Sequence, residues 1–310
     1  MLINCPLPAA YTVGMENGEW RYWAACVALM STLPLAACDR SPSKEPPTSP
    51  GPQPISVEVN QSRDQYGKQA ILIQLTNSAD ALVTVTGARL NSPLFEKDIV
   101  WEPTGGVLEL PPRQPKSLPA NLPAPHCSQS PNGPIKAMVE YSEPAKGPAE
   151  ISVEAQDPFN VLPRNADELC LAADAAAVAT IVLNSDLEVA PDGRTAVVRL
   201  VITPASTPGE SPQKLTIKSI DGTTLLAESS TDPWPRDIAI SSGTPPKELP
   251  LTIRPARCDP HAVAEDKVGT LLPLRISVGT REGVLKVAAP NELRGRIYDF
   301  VTAACGGAAH

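Results

Sequence analysis

The sequence predicts an all-β protein with two tandem Ig-like antiparallel β-sandwich domains, each closed by a short C-terminal helical segment. Three observations predict this fold: short runs of alternating apolar and polar residues, four cysteines at two nearly equal separations, and a composition rich in proline. The 310 residues include 36 Pro and only 3 Phe. Because proline interrupts helices and marks turns and strand edges, this composition favours an all-β chain over a helical bundle.

The alternating runs recur in two copies. Alternation with period two places successive side chains on opposite faces, so that one face of a sheet is buried and the other is wet. The first copy contains ISVEVN, AILIQL, LVTVTGARL, IKAMVEY and EISVEA, and the second contains TIVLN, AVVRLVI, KLTIKSI, LPLRISV and VLKVA. The segments NADELCLAADAAAVA and NELRGRIYDFVTAAC, which end the copies, are predicted to be helical. The two copies predict domains at 55–175 and 176–310.

The N-terminal segment 1–37 has the features of a lipoprotein signal peptide. Its apolar core YWAACVALMSTLPLAA is uncharged, follows Arg21 and is too short to span a bilayer comfortably. It ends in LPLAAC, which matches the lipobox of bacterial lipoproteins, and the resemblance implies that Cys38 is diacylated and becomes the mature N-terminus. An ordinary cleaved signal peptide or a short membrane anchor are the alternatives, and translation starts at either Met1 or Met15.

A proline-rich tether is predicted at 38–54. Its sequence DRSPSKEPPTSPGPQP carries proline, serine and charge without apolar periodicity. Such a segment cannot bury enough surface to offset its ordering entropy, so we expect an extended linker between a membrane and the folded domains.

Removal of the signal peptide leaves a number of cysteines that can pair completely. Of the seven in the chain, Cys5 and Cys26 leave with the signal peptide and Cys38 takes the lipid. The four that remain, at separations of 43 and 47 residues, are predicted to form one disulfide in each domain: Cys127, Cys170, Cys258 and Cys305. Trp101 and Trp234, at comparable places in the two copies, are either core anchors or exposed aromatic residues of a binding surface.

The stretch RPARCDPHAVAEDK at 254–267 is the place in the sequence that most resembles a functional site. In a metal interpretation, Cys258 and His261 are ligands, with Asp259 or Glu265 completing the sphere. In the structural interpretation that we favour, Cys258 is in a disulfide and Asp259 caps a helical turn that begins with a proline. His261 has no counterpart in the first copy, so it is the one residue that we keep as a candidate metal ligand. Under the favoured structural interpretation, the sequence predicts no metal site and no cofactor.

Catalytic patterns are weak. The spacing Ser-x-x-Lys occurs at 41–44 and 211–214, but these matches lie in the tether and in a loop, where a buried nucleophile is not expected. We therefore predict no catalytic residues and no enzyme activity. The formal charge of −8 without a Lys/Arg cluster predicts no nucleic-acid partner, because a polyanion needs a basic patch.

The segment RCDPHAVAEDKVGTLLPLRI, together with the lipobox and the tether, resembles uncharacterised exported lipoproteins of high-GC Gram-positive (actinobacterial) bacteria. In that family a Cys-Asp-Pro-His stretch precedes a strand and a C-terminal cysteine follows. The resemblance covers most of the second domain and is looser over the first. It implies a cell-envelope location and disulfides, and it brings no activity with it.

These observations together predict a lipid-anchored protein on the extracytoplasmic side of the cell membrane. We expect a non-enzymatic binding or assembly module whose partners are the membrane, through the lipid, and envelope proteins. The alternative hypothesis is a receptor for a small ligand or metal ion, with the His261 corner or the groove between the domains as its site.

Overall fold

The computed structural model describes residues 53–128, 133–206 and 214–306. The predicted signal peptide 1–37, the predicted lipidation site Cys38 and most of the predicted tether 38–54 lie outside these ranges. Within the described ranges the chain forms sixteen β-strands and three α-helices. None of these helices combines the length and the apolar character needed to cross a membrane.

The first domain is a sandwich of two antiparallel sheets. One sheet has the order β1-β2-β6, and the other has the order β4-β3-β7-β8 with β5 added beside β3. In β1 and β2 alternate residues are buried, as period-two patterning requires. The elements are β1 Ile55–Asn60, β2 Ala70–Asn77, β3 Val83–Asn91, β4 Ile99–Trp101, β5 Leu108–Leu110, β6 Lys116–Asn121, β7 Lys136–Ser142, β8 Pro148–Glu154 and helix α1 Val161–Val178.

The second domain repeats this topology. Its sheets have the orders β12-β14-β10-β9 and β13-β11-β15-β16, which match the first domain once β5 of the first domain and β12 of the second are set aside. The fold is therefore two tandem Ig-like sandwiches, each followed by a helix, as predicted. The elements are β9 Ala179–Val189, β10 Ala196–Pro204, β11 Lys214–Ile220, β12 Leu226–Glu228, β13 Ile238–Ser241, β14 Lys247–Pro255, α2 Pro260–Ala264, β15 Leu271–Val278, β16 Arg281–Ala288 and α3 Asn291–Gly306.

Among the strands that the prediction missed, β6 and β14 contain prolines that interrupt the alternating pattern. Pro119 lies within β6, an edge strand that pairs only with β2. On the open side of an edge strand no hydrogen bond is lost when a residue lacks an N–H. Pro250 lies within β14, which has neighbours on both sides, but β12 pairs only with residues 253–255. Both prolines therefore sit where one side of the strand has no partner, and the sheet tolerates them.

Helix α1 contributes to both hydrophobic cores. Its first half packs Val161 and Ala166 into the first core, and its second half packs Leu171, Ala175 and Val178 into the second. The helix thus closes one sandwich and continues directly into the first strand of the next. The domain limits at 175 and 176 remain a prediction, since the helix serves both domains.

Strand β16 of the second domain lies against α1. A Cβ atom at Gly283 would come within 2.9 Å of Leu171 Cδ2, so the absence of a side chain permits this close approach. Polar contacts flank it: Lys286 Nζ lies 2.7 Å from a carboxylate oxygen of Glu168 and 5.2 Å from the centre of the Tyr66 ring. The second domain is therefore attached to the first through the side of α1.

The four cysteines form the two predicted disulfides. Cys127, which follows β6, is bonded to Cys170 in α1, and Cys258, which follows β14, is bonded to Cys305 in α3. Each bond ties the end of a strand to the closing helix of the same sandwich. Closing loops of this length typically stabilises a folded domain by about 2–4 kcal/mol.

The double use of α1 predicts a large cost for truncating its second half. Leu171 is 4% exposed and packs in the second core, so Leu171→Ala should lower the free energy of unfolding by about 2–5 kcal/mol through lost burial and a cavity. Urea titration followed by circular dichroism measures this loss. Ala173→Ser, at an exposed position on the same helix, is the control and should change stability by under about 0.5 kcal/mol.

The two disulfides should differ in their rate of reduction. Cys170 is 3% exposed, whereas Cys258 is exposed and Cys305 is half-buried. Since a reductant must reach a sulfur atom, we expect the Cys258–Cys305 bond to open first. Graded reduction, alkylation and peptide mass spectrometry will show the order, and equal or reversed rates would contradict the expectation.

Candidate functional site

The cysteine–histidine stretch is a capped helical corner in the second domain. Asp259 precedes α2, its Oδ1 accepts a hydrogen bond from the backbone N–H of His261 at 3.0 Å, and Pro260 is the first helical residue. Proline fits there because the N–H at the first helical position has no acceptor within the helix, so no hydrogen bond is lost when proline lacks it. The corner joins β14 of one sheet to β15 of the other, as the structural interpretation predicted.

The structure separates the residues of the metal interpretation. Cys258 is bonded to Cys305, so its sulfur cannot act as a thiolate ligand. Asp259 is engaged as the helix cap, and His261 is exposed. Across the described residues, no group of three or more His, Cys, Asp or Glu side chains is placed to hold a metal ion. Of the four residues in the metal interpretation, this leaves His261 and Glu265, the C-cap of α2, which keep exposed side chains.

The carboxylate that organises this corner is Asp266, which the sequence analysis did not single out. Its Oδ2 accepts hydrogen bonds from the Gly269 N–H at 2.7 Å and from the Tyr298 hydroxyl at 2.9 Å, and its Oδ1 accepts one from the Thr224 hydroxyl. These contacts connect the corner to α3 and to the loop before β12. An Asp followed three residues later by Gly is a turn signal that could have drawn attention to it.

Gly269 is required by the close packing around Asp266. A Cβ atom at this position would lie 2.4 Å from Leu225 Cβ and 2.6 Å from Asp266 Oδ2. The backbone at Gly269 is therefore tightly packed against Leu225 and Asp266.

Tyr298 carries the largest change in acidity at this junction. Burial, followed by its hydrogen bond to Asp266 and the charge of that carboxylate, raises the pKa of the Tyr298 hydroxyl to about 12. Burial disfavours the charged phenolate, and an adjacent carboxylate disfavours it further. The hydroxyl therefore stays protonated at neutral pH and acts as a fixed donor to Asp266.

Two recesses lie where the domains meet. One of about 110 Å³ lies between Tyr66, α1 and Leu271, which is below the size of typical small-molecule pockets. The other, of about 590 Å³, lies beside the first disulfide and includes His126 and Arg281. The Arg281 guanidinium donates to the Cys127 carbonyl and pairs with Asp174 at 2.9 Å, so it serves the contact between the domains.

The tryptophans differ in environment. Trp234 is 3% exposed in the second core, and its Nε1 donates to the Thr252 carbonyl at 2.9 Å. The core-anchor interpretation is therefore confirmed for Trp234, while Trp101 is half-buried against the edge of the first core. Of the Ser-x-x-Lys matches, the segment 41–44 and Ser211 lie outside the described residues.

The raised pKa of Tyr298 predicts a loss of stability at alkaline pH. In the unfolded chain the hydroxyl ionises near 10.0, whereas in the folded protein it ionises near 12. Between these values the unfolded state binds fewer protons, so the free energy of unfolding should fall as pH rises from about 10 to about 12. Urea titrations of the wild type and Tyr298→Phe test this, because the variant should lose stability less steeply in this window. Parallel slopes would contradict the assignment.

Comparison with known proteins shows no family. No protein-family model matches the sequence, and no curated protein matches it. Among solved structures, a protein of unknown function from Porphyromonas gingivalis W83 is 17% identical and has a TM-score of 0.18, with 76% of this chain and 99% of that chain covered. The YadV chaperone is 12% identical, with a TM-score of 0.21 and coverage of 76% and 98%. The E. coli chaperone DraB is 11% identical, with a TM-score of 0.20 and coverage of 76% and 95%.

Proposed function

We propose that this protein is a non-enzymatic binding or assembly module of the bacterial cell envelope, held at the extracytoplasmic face of the membrane by a lipid on Cys38. The observation that carries the proposal is the pairing of all four cysteines that follow Cys38. Disulfides persist in oxidising compartments and are rare in the cytosol. This pattern agrees with export, and the lipobox supplies the means of attachment.

The connection between the domains supports a binding or assembly role. The helix α1 packs into both cores, and the pairs Lys286–Glu168 and Arg281–Asp174 lie beside it. Because the two sandwiches share a helix, their loops and edges keep fixed relative positions. Little conformational entropy is then lost when a partner binds, which favours binding. The tether at 38–54 would keep this pair of domains at a distance from the membrane.

The local chemistry of the cysteine–histidine corner supports a non-enzymatic role. Its reactive residue types have structural partners: Cys258 is in a disulfide, Asp259 caps a helix and Asp266 binds three neighbours. A catalytic carboxylate or thiol needs access to substrate, and these groups are engaged elsewhere.

Substitution of the lipidated cysteine tests the anchor. In a bacterial host that processes lipoproteins, Cys38→Ser should abolish incorporation of a labelled fatty acid and release the protein from the membrane fraction, because the lipid on this cysteine is the proposed attachment to the membrane. Metabolic labelling and membrane fractionation measure both effects.

The matched control is Cys26→Ser, which changes the cysteine of YWAAC at 22–26, a poorer lipobox because Trp23 stands where an aliphatic residue is expected. It should leave labelling and membrane retention unchanged. Labelling that survives Cys38→Ser, or that is lost with Cys26→Ser, would refute the proposed anchor.

A further inference from the structure

An open groove lies at one end of the second sandwich, beside Cys258 of that domain's disulfide. It runs between α3, the turn that joins β9 to β10, and the end of β14, and its volume is about 1000 Å³. We call it the arginine groove. Its floor is apolar and its rim is charged, and the residues that matter here are Leu187, Val189, Arg194, Arg254, Phe300 and Asp299.

The floor of the arginine groove is an uncovered end of the hydrophobic core. Val189 pairs with Ala196, and directly paired residues of antiparallel strands point to the same face of the sheet. Ala196 is 1% exposed in the core, yet Val189 is 51% exposed. Leu187, paired with the buried Val198, is half-buried beside it. The end of β9 thus carries a core-facing residue that is open to solvent.

Two guanidinium groups at the rim have no carboxylate partner. Within the described residues, neither Arg194 nor Arg254 has an Asp or Glu oxygen within 4.0 Å of its side-chain nitrogens. Arg254 donates to the backbone carbonyls of Glu228 and Pro255, which hold its position without neutralising it. In a chain with a formal charge of −8, two unneutralised arginines beside an apolar floor indicate an anionic partner.

Acidic residues limit where the anionic group can lie. Asp192 also lines the groove, and its Oδ1 accepts the backbone N–H of Arg194 at 2.9 Å, which holds the turn. Asp299 lies on α3, on the side of the groove opposite the β9–β10 turn, and is exposed. A carboxylate in the groove would therefore be attracted to Arg194 and Arg254 and repelled by Asp192 and Asp299.

We propose that the arginine groove binds an extended peptide segment of an envelope partner protein. An apolar side chain of the peptide covers Val189 and the half-buried Leu187, and an adjacent Asp or Glu pairs with Arg194 and Arg254. The mixed apolar and cationic lining suits such a segment. This inference rests on the proposed function as a binding module and specifies its site and the chemistry of its partner.

Selection from an array of random decapeptides tests the inference. The purified full chain is applied to the array, and we expect the bound peptides to be enriched in Asp or Glu next to Leu, Ile, Val or Phe. Arg194→Glu and Arg254→Glu should each weaken binding of the selected peptides by about tenfold or more, because each replaces an attraction by a repulsion. Asp299→Asn should strengthen binding by about twofold to fivefold, since it removes a repulsion of surface strength.

The control is Lys247→Glu, which makes the same change of charge at the other end of the strand that carries Arg254. It should leave peptide affinity within about twofold, because exposed charges at such a distance are screened by salt. Thermal unfolding of every variant checks that the fold is retained.

Three outcomes would overturn the inference: no acidic–apolar enrichment, equal effects of Arg254→Glu and Lys247→Glu, or weaker binding by Asp299→Asn. These measurements do not depend on the lipid. A failure of the arginine groove is therefore distinguishable from a failure of the Cys38 anchor, which is measured by fatty-acid labelling.

Discussion

The structure depends on one helix, α1, that is buried in two hydrophobic cores at once. A β-sandwich with an open end exposes apolar residues, and α1 covers the first sandwich with Val161, Leu162 and Ala166. The same helix then presents Leu171, Ala175 and Val178 to the second sandwich. Because both cores gain from burying the same element, separating the domains would expose apolar surface in both.

Each disulfide reinforces this arrangement by the same physical means. A cysteine at the end of a strand is bonded to a cysteine in the helix that follows, so the helix cannot leave the sandwich without the strand. The two bonds differ in what surrounds them. The first lies near Arg281, which contacts the carbonyl of Cys127 from the second domain, whereas the second borders the open arginine groove.

The comparison of the two copies locates the place where function can differ. In the first copy the closing helix is covered on its far side by the second domain, whereas α3 has no such neighbour in the described residues. The arginine groove lies beside α3, where this cover is missing. In the part of the chain that the structure describes, the second copy thus keeps an uncovered core end, and the charges at its rim determine which partner suits it.

Much of the fold was predictable because it is local in the sequence. Period-two alternation identified ten strands, and the apolar runs around Cys170 and Cys305 identified α1 and α3. The short strands β4, β5, β12 and β13 were missed, since three or four residues carry too little periodicity. The strands β6 and β14 were missed because prolines broke the pattern at places where the sheet has an open side.

The sequence by itself determined the two sandwiches, their disulfides and the cap formed by Asp259 and Pro260, because each follows from neighbouring residues or from a repeated spacing. Only the tertiary structure decided what the chemically active residues do. It placed the Asp266 carboxylate against Tyr298 and Gly269, and it left Val189 uncovered beside Arg194 and Arg254. These relations join residues that are far apart in the chain, and their meeting is set by how the sheets and helices pack, which no local pattern records.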